Sequence, residues 1–144
     1  MMTMENKKKM LPRGLRNNNP LNIRRTANLW QGLSKEQNDP DFFQFESMAW
    51  GYRAAFVVLR TYRNRYGINT VERIVRRWAP EKDGNDTEYY IRKVTVLTGL
   101  ERKQIVDDQD PRTMMNLVAA MSRVENGVPA RQVEVCKGWK LYQG

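Results

Sequence analysis

The chain has 144 residues, 40% of them hydrophobic and including 4 Trp, 6 Tyr and 4 Phe, a composition that excludes a disordered chain and supplies one core but not two. It contains no histidine and a single cysteine, Cys136, which excludes His-based triads, HExxH zinc sites and an internal disulfide, and leaves catalysis to carboxylates, Tyr, Lys or hydroxyls. The formal net charge of +9 points to an anionic partner, either nucleic acid or a bacterial wall with its peptide carboxylates.

Residues 1–12 read as a basic flexible tail. Lys7, Lys8 and Lys9 form a cationic run with no apolar stretch behind it, so a secretory signal is not expected. No segment approaches the roughly 18 apolar residues of a membrane span. From Arg13 to Pro40 turn formers dominate: Gly14, Asn17-Asn18-Asn19-Pro20, Asn22, Gly32 and Asn38-Asp39-Pro40. Phe42, Phe43 and Phe45 suit a short strand.

Helical periodicity follows. Ser47 is placed to cap a helix with Met48, Tyr52, Ala55, Leu59, Tyr62 and Tyr66 inward, ended by Gly67. Thr70 caps a second, with Val71, Ile74, Val75 and Trp78 inward and Pro80 as its stop. Lys82 to Asn85 reads as a polar loop. Asp86 or Thr87 starts a third helix with Tyr90, Val94 and Leu97 on one side and Gly99 at its end, and a helical turn is expected over 101–106. Asp110 and Pro111 open the clearest helix, closed by Gly127. A last helix over 130–142 carries Val133, Cys136 and Leu141. The sequence shows no internal repeat.

One carboxylate breaks the pattern of the helix after Pro111. Its inward stripe runs Met114, Val118, Met121 and then Glu125, with Leu117 and Val124 beside it. Burial and the negative end of the helix dipole both disfavour a charged Glu125, and a raised pKa is what a general acid needs near neutral pH. Periodicity alone leaves a second reading open, in which Glu125 points to solvent or pairs with Arg123 or Arg131.

The segment Leu117-Val118-Ala119-Ala120-Met121-Ser122-Arg123-Val124-Glu125-Asn126-Gly127 resembles the catalytic-Glu helix of lysozyme-like lytic transglycosylases, with Asn126 in place of the usual Ser. Asn19-Pro20-Leu21-Asn22-Ile23 followed by Trp30-Gln31-Gly32 resembles the groove loop of related wall glucosaminidases. Asp86-Thr87-Glu88-Tyr89-Tyr90-Ile91-Arg92-Lys93-Val94 is similar to the transglycosylase helix whose tyrosine faces the catalytic centre, a place held here by Tyr90. The order of these segments is cyclically rotated, with the groove loop first and the Glu helix near the end. From Arg13 onward the chain also resembles small phage- and prophage-borne proteins that share Arg-Gly-x-Arg-Asn-Asn-Asn-Pro, Trp-Ala-Pro and Glu-Asn-Gly, proteins described as virion structural or lysozyme-like.

The resemblance implies a mainly α, α+β lysozyme-like domain over 13–144, with a small irregular or β N-terminal region and circularly permuted order. It implies cleavage of the MurNAc–GlcNAc β-1,4 bond of peptidoglycan with Glu125 as sole acid and base, the substrate's N-acetyl group assisting, and hydrolysis or transglycosylation left open. Tyr90 joins Glu125 as a catalytic candidate, against the alternative of a core tyrosine with a satisfied hydroxyl. Asn19, Asn22, Ile23, Trp30 and Asn126 are substrate-binding candidates; the asparagines serve equally as turn formers. Glu46 and Glu88 are the candidates for a second carboxylate, more simply read as surface charges. Trp50, Trp78 and Trp139 read as core, and Arg73, Arg76 and Arg77 as a solvated helix face.

No cofactor and no metal is expected. The expected partner is the glycan strand of bacterial peptidoglycan, with phage virion proteins as further partners, and the chain is expected to be a monomer. Synthesis in the bacterial cytoplasm without a signal leaves delivery to the wall to a virion, a holin or lysis. The rival readings are a non-catalytic virion component of the same fold and, more weakly, a DNA-binding protein. A helix–turn–helix drawn from the Ser47 and Thr70 helices has an overlong first helix and no Gly-centred sharp turn.

Overall fold

The computed structural model describes Thr3 and residues 11–144; the basic tail expected over 1–12 therefore falls largely outside the described residues. The described chain is mainly helical. In chain order the helices are α1 (Arg13–Arg16), α2 (Met48–Tyr66), α3 (Val71–Trp78), α4 (Thr87–Thr98), α5 (Pro111–Asn126) and α6 (Gln132–Gln143), with one 3₁₀ turn at Glu81–Asp83.

The caps follow the local chemistry. Ser47, Thr70 and Asp86 each accept from the backbone N–H three residues on, and Gly67, Gly99 and Gly127 close their helices in the left-handed conformation that a Cβ disfavours. Asp110 holds the expected N-cap position before Pro111. Its carboxylate accepts chiefly from the Thr113 hydroxyl, at 2.6 Å, with the backbone N–H groups of Arg112 and Thr113 as weaker partners.

The expected strand at Phe42–Phe45 does not form; Arg24–Phe42 and Leu33–Phe45 are isolated antiparallel bridges. The alternation still sorts the side chains, since Phe43 and Phe45 are buried while Phe42 is not. The helical turn expected over 101–106 is reduced to a single turn, closed by the Gln104 N–H on the Glu101 carbonyl at 3.1 Å, after which Ile105 bridges to Thr70. α1 falls in a stretch expected to be irregular throughout.

Two apolar clusters hold the domain. The larger joins Tyr52, Phe56 and Leu59 of α2, Ile74 and Val75 of α3, Ile91 and Val94 of α4, Leu117, Val118 and Met121 of α5, and Val135 and Trp139 of α6. The smaller gathers Ile23, Phe43 and Phe45 under Ala54 of α2. α2 packs along α6, and Gly138 sets their closeness: a Cβ there would stand 2.5 Å from the Tyr52 Cβ and 2.9 Å from the Ala49 carbonyl. Leu97, expected on the side of Tyr90 and Val94, is 37% exposed, and Val133 of the last helix is 52% exposed, while Ile91 and Val135 are fully buried. Tyr66, the last residue of the predicted α2 stripe, is 48% exposed, because the helix runs past the core before Gly67 stops it.

The asparagine-rich segment is fastened to the rest by its own amides. Asn19 is fully buried; its Nδ2 donates to the carbonyls of Ile23 and Phe43 and its Oδ1 accepts from the Ile23 N–H. Asn17 donates to Asp39, which also receives Arg13 Nε at 2.6 Å. Asn18 and Asn22 have φ of +51° and +55°, a region that asparagine enters more readily than other residues with a Cβ. No helix among the described residues is long and apolar enough to cross a membrane.

Candidate active site

Glu125 lies in the last turn of α5, one residue before the helix's final position, and its side chain opens into a cleft of about 910 Å³. One wall is the N-terminal segment, through Leu21, Asn22, Ile23, Arg24 and Trp30. The other is the end of α3 and the loop after it, through Arg76, Arg77, Trp78, Lys82 and Asp83, with Val58 and Tyr62 of α2 between them.

The carboxyl has three polar neighbours from three parts of the chain. Asn22 Nδ2 donates to Glu125 Oε1 at 2.9 Å, and the Tyr90 hydroxyl and Trp78 indole N–H reach the same group. Burial pushes the Glu125 pKa up, and the hydrogen bonds from Asn22, Tyr90 and Trp78 offset part of that rise. Residual negative charge at the helix C-terminus acts in the same direction as burial. The result is a carboxylic acid that keeps its proton to a higher pH than an exposed glutamate.

Tyr90 is 5% exposed, and burial, reinforced by the neighbouring Glu125, drives its hydroxyl pKa well above the usual value. It is thus a neutral donor. Its contact to the Met121 carbonyl is long, at 3.4 Å, so an ionised Glu125 is the stronger competitor for its single proton.

Of the residues singled out in the sequence, Glu125, Asn22, Ile23 and Trp30 line the cleft and Tyr90 backs the carboxyl. Asn19 and Asn126 do not line it. Asn19 is tied into the loop as described above, and Asn126 donates to the carbonyls of Pro20 and Ser122, both at 2.9 Å, so each holds the site's frame from behind. The Trp30 indole nitrogen is buried without a protein hydrogen-bond partner.

Neither expected second carboxylate faces Glu125 in this cleft. Glu88 bonds to Arg76 at 2.6 Å and Arg102 at 2.9 Å, and those pairings, Arg102 foremost, hold its pKa down to about 2. Glu46 is exposed and lies outside the cleft lining. Asp83 does line it, from a loop whose polar composition carried no functional signal. Trp78, Arg76 and Arg77 also belong to the cleft. Their sequence signal was a core tryptophan and a solvated arginine face, and nothing local told that the end of α3 would meet residues 21–30. No cluster of potential metal ligands occurs among the described residues.

The fold and this cleft define a mainly helical, single-domain protein that sets a partly buried carboxylic acid in a cationic groove. No protein-family model matches the chain. It is 42% identical over 136 residues to Protein P5 of Pseudoalteromonas phage PM2, a match spanning 90% of this chain and 82% of that protein. The chain belongs to the family of that phage protein.

Proposed function

We propose that this protein cleaves the glycan strand of peptidoglycan, with Glu125 donating its proton to the glycosidic oxygen between MurNAc and GlcNAc. The carrying observation is a partly buried carboxyl that lines an open cleft and is held by Asn22, Tyr90 and Trp78, a setting whose desolvation raises its pKa. As the C1–O bond breaks, the carbonyl oxygen of the substrate's own N-acetyl group closes on C1, which makes a second carboxylate unnecessary. Water or the sugar's 6-hydroxyl then adds to C1 and returns its proton to Glu125. Tyr90 and Asn22 steady the carboxylate formed between the two steps, and Trp30 offers an aromatic face to a sugar ring. In this reading the domain is a lysozyme-like fold in cyclically rotated order, brought to the wall by a virion, a holin or lysis.

Membership in the family of a phage protein favours a second reading, a virion structural component that keeps the groove for binding. The two separate in one experiment. Purified protein and Glu125→Gln are incubated with peptidoglycan, and the soluble muropeptides are identified by mass. The first reading expects the variant's rate to fall about 10²–10⁴-fold, with anhydro ends marking transglycosylation and reducing ends hydrolysis. Equal products from both proteins remove Glu125 from the chemistry, and no products from either favour the structural component.

A further inference from the structure

The cleft that holds Glu125 is lined by four cationic side chains, Arg24, Arg76, Arg77 and Lys82, against one other carboxylate, Asp83. Arg76 is engaged by Glu88 at 2.6 Å. Arg24, Arg77 and Lys82 make no ion pair with any described residue. The two unpaired arginines nevertheless have fixed places. The Arg77 guanidinium sits 4.6 Å from the Tyr66 ring centroid and 5.8 Å from that of Tyr62, and Arg24 sits 5.5 Å from that of Phe42. Stacking occupies a guanidinium's face and leaves its N–H groups at the edge; one of Arg77's is taken by the Tyr62 hydroxyl, and the others, like those of Arg24, are placed to grip a carboxylate. Tyr62 and Phe42 are themselves part of the cleft lining, so these edges are presented where a bound strand would run.

We propose that Arg24 and Arg77, which line the cleft from separate segments of the chain and are assisted by Lys82, recognise carboxylates carried by the glycan, so that the ligand is an acid-substituted strand and not a neutral polysaccharide. The inference rests on the glycan-cleaving reading of the same cleft and names the substituents that the cleft selects. Neutral sugar rings alone give these unpaired cations no partner, whereas the carboxylates of the peptide stems, and of lactyl groups that bear no stem, do.

The test uses the full chain carrying Glu125→Gln, so that binding is read without turnover, and follows the fluorescence of the cleft residues Trp30 and Trp78. The ligands are soluble peptidoglycan fragments with their carboxylates free and the same fragments with those carboxylates amidated. The free acids are expected to bind roughly tenfold more tightly, and the advantage to shrink in high salt. Arg24→Gln with Arg77→Gln is expected to erase the difference between the two ligands. Equal binding of both ligands to the parent overturns the proposal while leaving a glycan cleft intact, as does equal weakening of both by the arginine changes. Binding of neither ligand overturns the glycan reading beneath it. Preferential binding of a duplex oligonucleotide, steep in salt, overturns both.

Discussion

Asn22 donates its side-chain amide to Oε1 of Glu125 across 2.9 Å, joining residues 103 positions apart in the chain. The backbone at Asn22 has φ +55°, and that turn is what aims the amide at the end of α5. A loop conformation near one end of the chain thus helps to set the proton affinity of an acid near the other.

Replacing that donor by an acid has a definite sign. Asn22→Asp keeps the side chain's size and its tolerance of the left-handed backbone, but removes a hydrogen bond that lowers the Glu125 pKa and adds a like charge that raises it. The pair then shares a proton and titrates as a unit, with its upper midpoint above that of Glu125 in the parent. Carboxyl ¹³C shifts followed against pH read this directly, and the alkaline limb of the activity profile should move up with it. A midpoint at or below the parent's removes Asn22 from the control of Glu125.

Stability carries the same signature. Glu125 has a higher pKa folded than unfolded, so the fold binds its proton more tightly and loses stability as pH rises from the unfolded value through the folded one. Glu125→Gln has no such loss. Its stability relative to the parent should therefore be lowest near pH 4 and improve towards neutrality, as measured by urea unfolding across that range. A constant difference contradicts a buried, titrating Glu125.

Asp39 shows the opposite linkage. The Arg13 hydrogen bond, with help from Asn17 and the N–H groups of Asp41 and Phe42, holds its carboxyl far below the ordinary range, so its contribution is complete above about pH 4 and lost as pH falls. Asp39→Asn should cost about 1–2 kcal/mol at neutral pH and flatten the acid side of the stability curve. Thermal unfolding of the two proteins at neutral and low pH checks both parts; parallel curves disprove the assignment.

Gly138 poses a choice between two effects. Helix propensity favours Ala over Gly by about 1 kcal/mol, yet the added methyl would meet the Ala49 carbonyl, a backbone atom of α2 that cannot swing away. Overpacking of this kind costs about 1–3 kcal/mol, so Gly138→Ala should be net destabilising in chemical denaturation. A stabilised variant would mean that α2 and α6 separate easily.

Much of the fold was legible because it is local. Ser47, Thr70, Asp86 and the closing glycines mark helix ends by chemistry within three or four residues, and the four-and-three spacing of Met114, Val118 and Met121 delivered Glu125 to the interior side of α5. Periodicity names a face but not the length of its cover, so Leu97, in register with Tyr90 and Val94, is nonetheless 37% exposed. The meeting of Thr70 with Ile105, and of Trp78, Arg76 and Arg77 with residues 21–30, depends on partners far along the chain. The asparagines were legible as turns, but the division of labour among them was not: Asn22 reaches the acid while Asn19 and Asn126 hold the backbone.

The two walls of the cleft and its acid are also separated in the order of synthesis. Residues 21–30 and 76–83 leave the ribosome long before α5, and Glu125 then arrives in one of the last helices of the chain. A growing or locally opened chain therefore carries Glu125 as an ordinary water-exposed carboxylate, ionised at neutral pH. Its raised proton affinity comes into being when α5 docks and Asn22, Tyr90 and Trp78 close around it, so readiness for acid chemistry is a property of the folded domain and not of the α5 sequence alone.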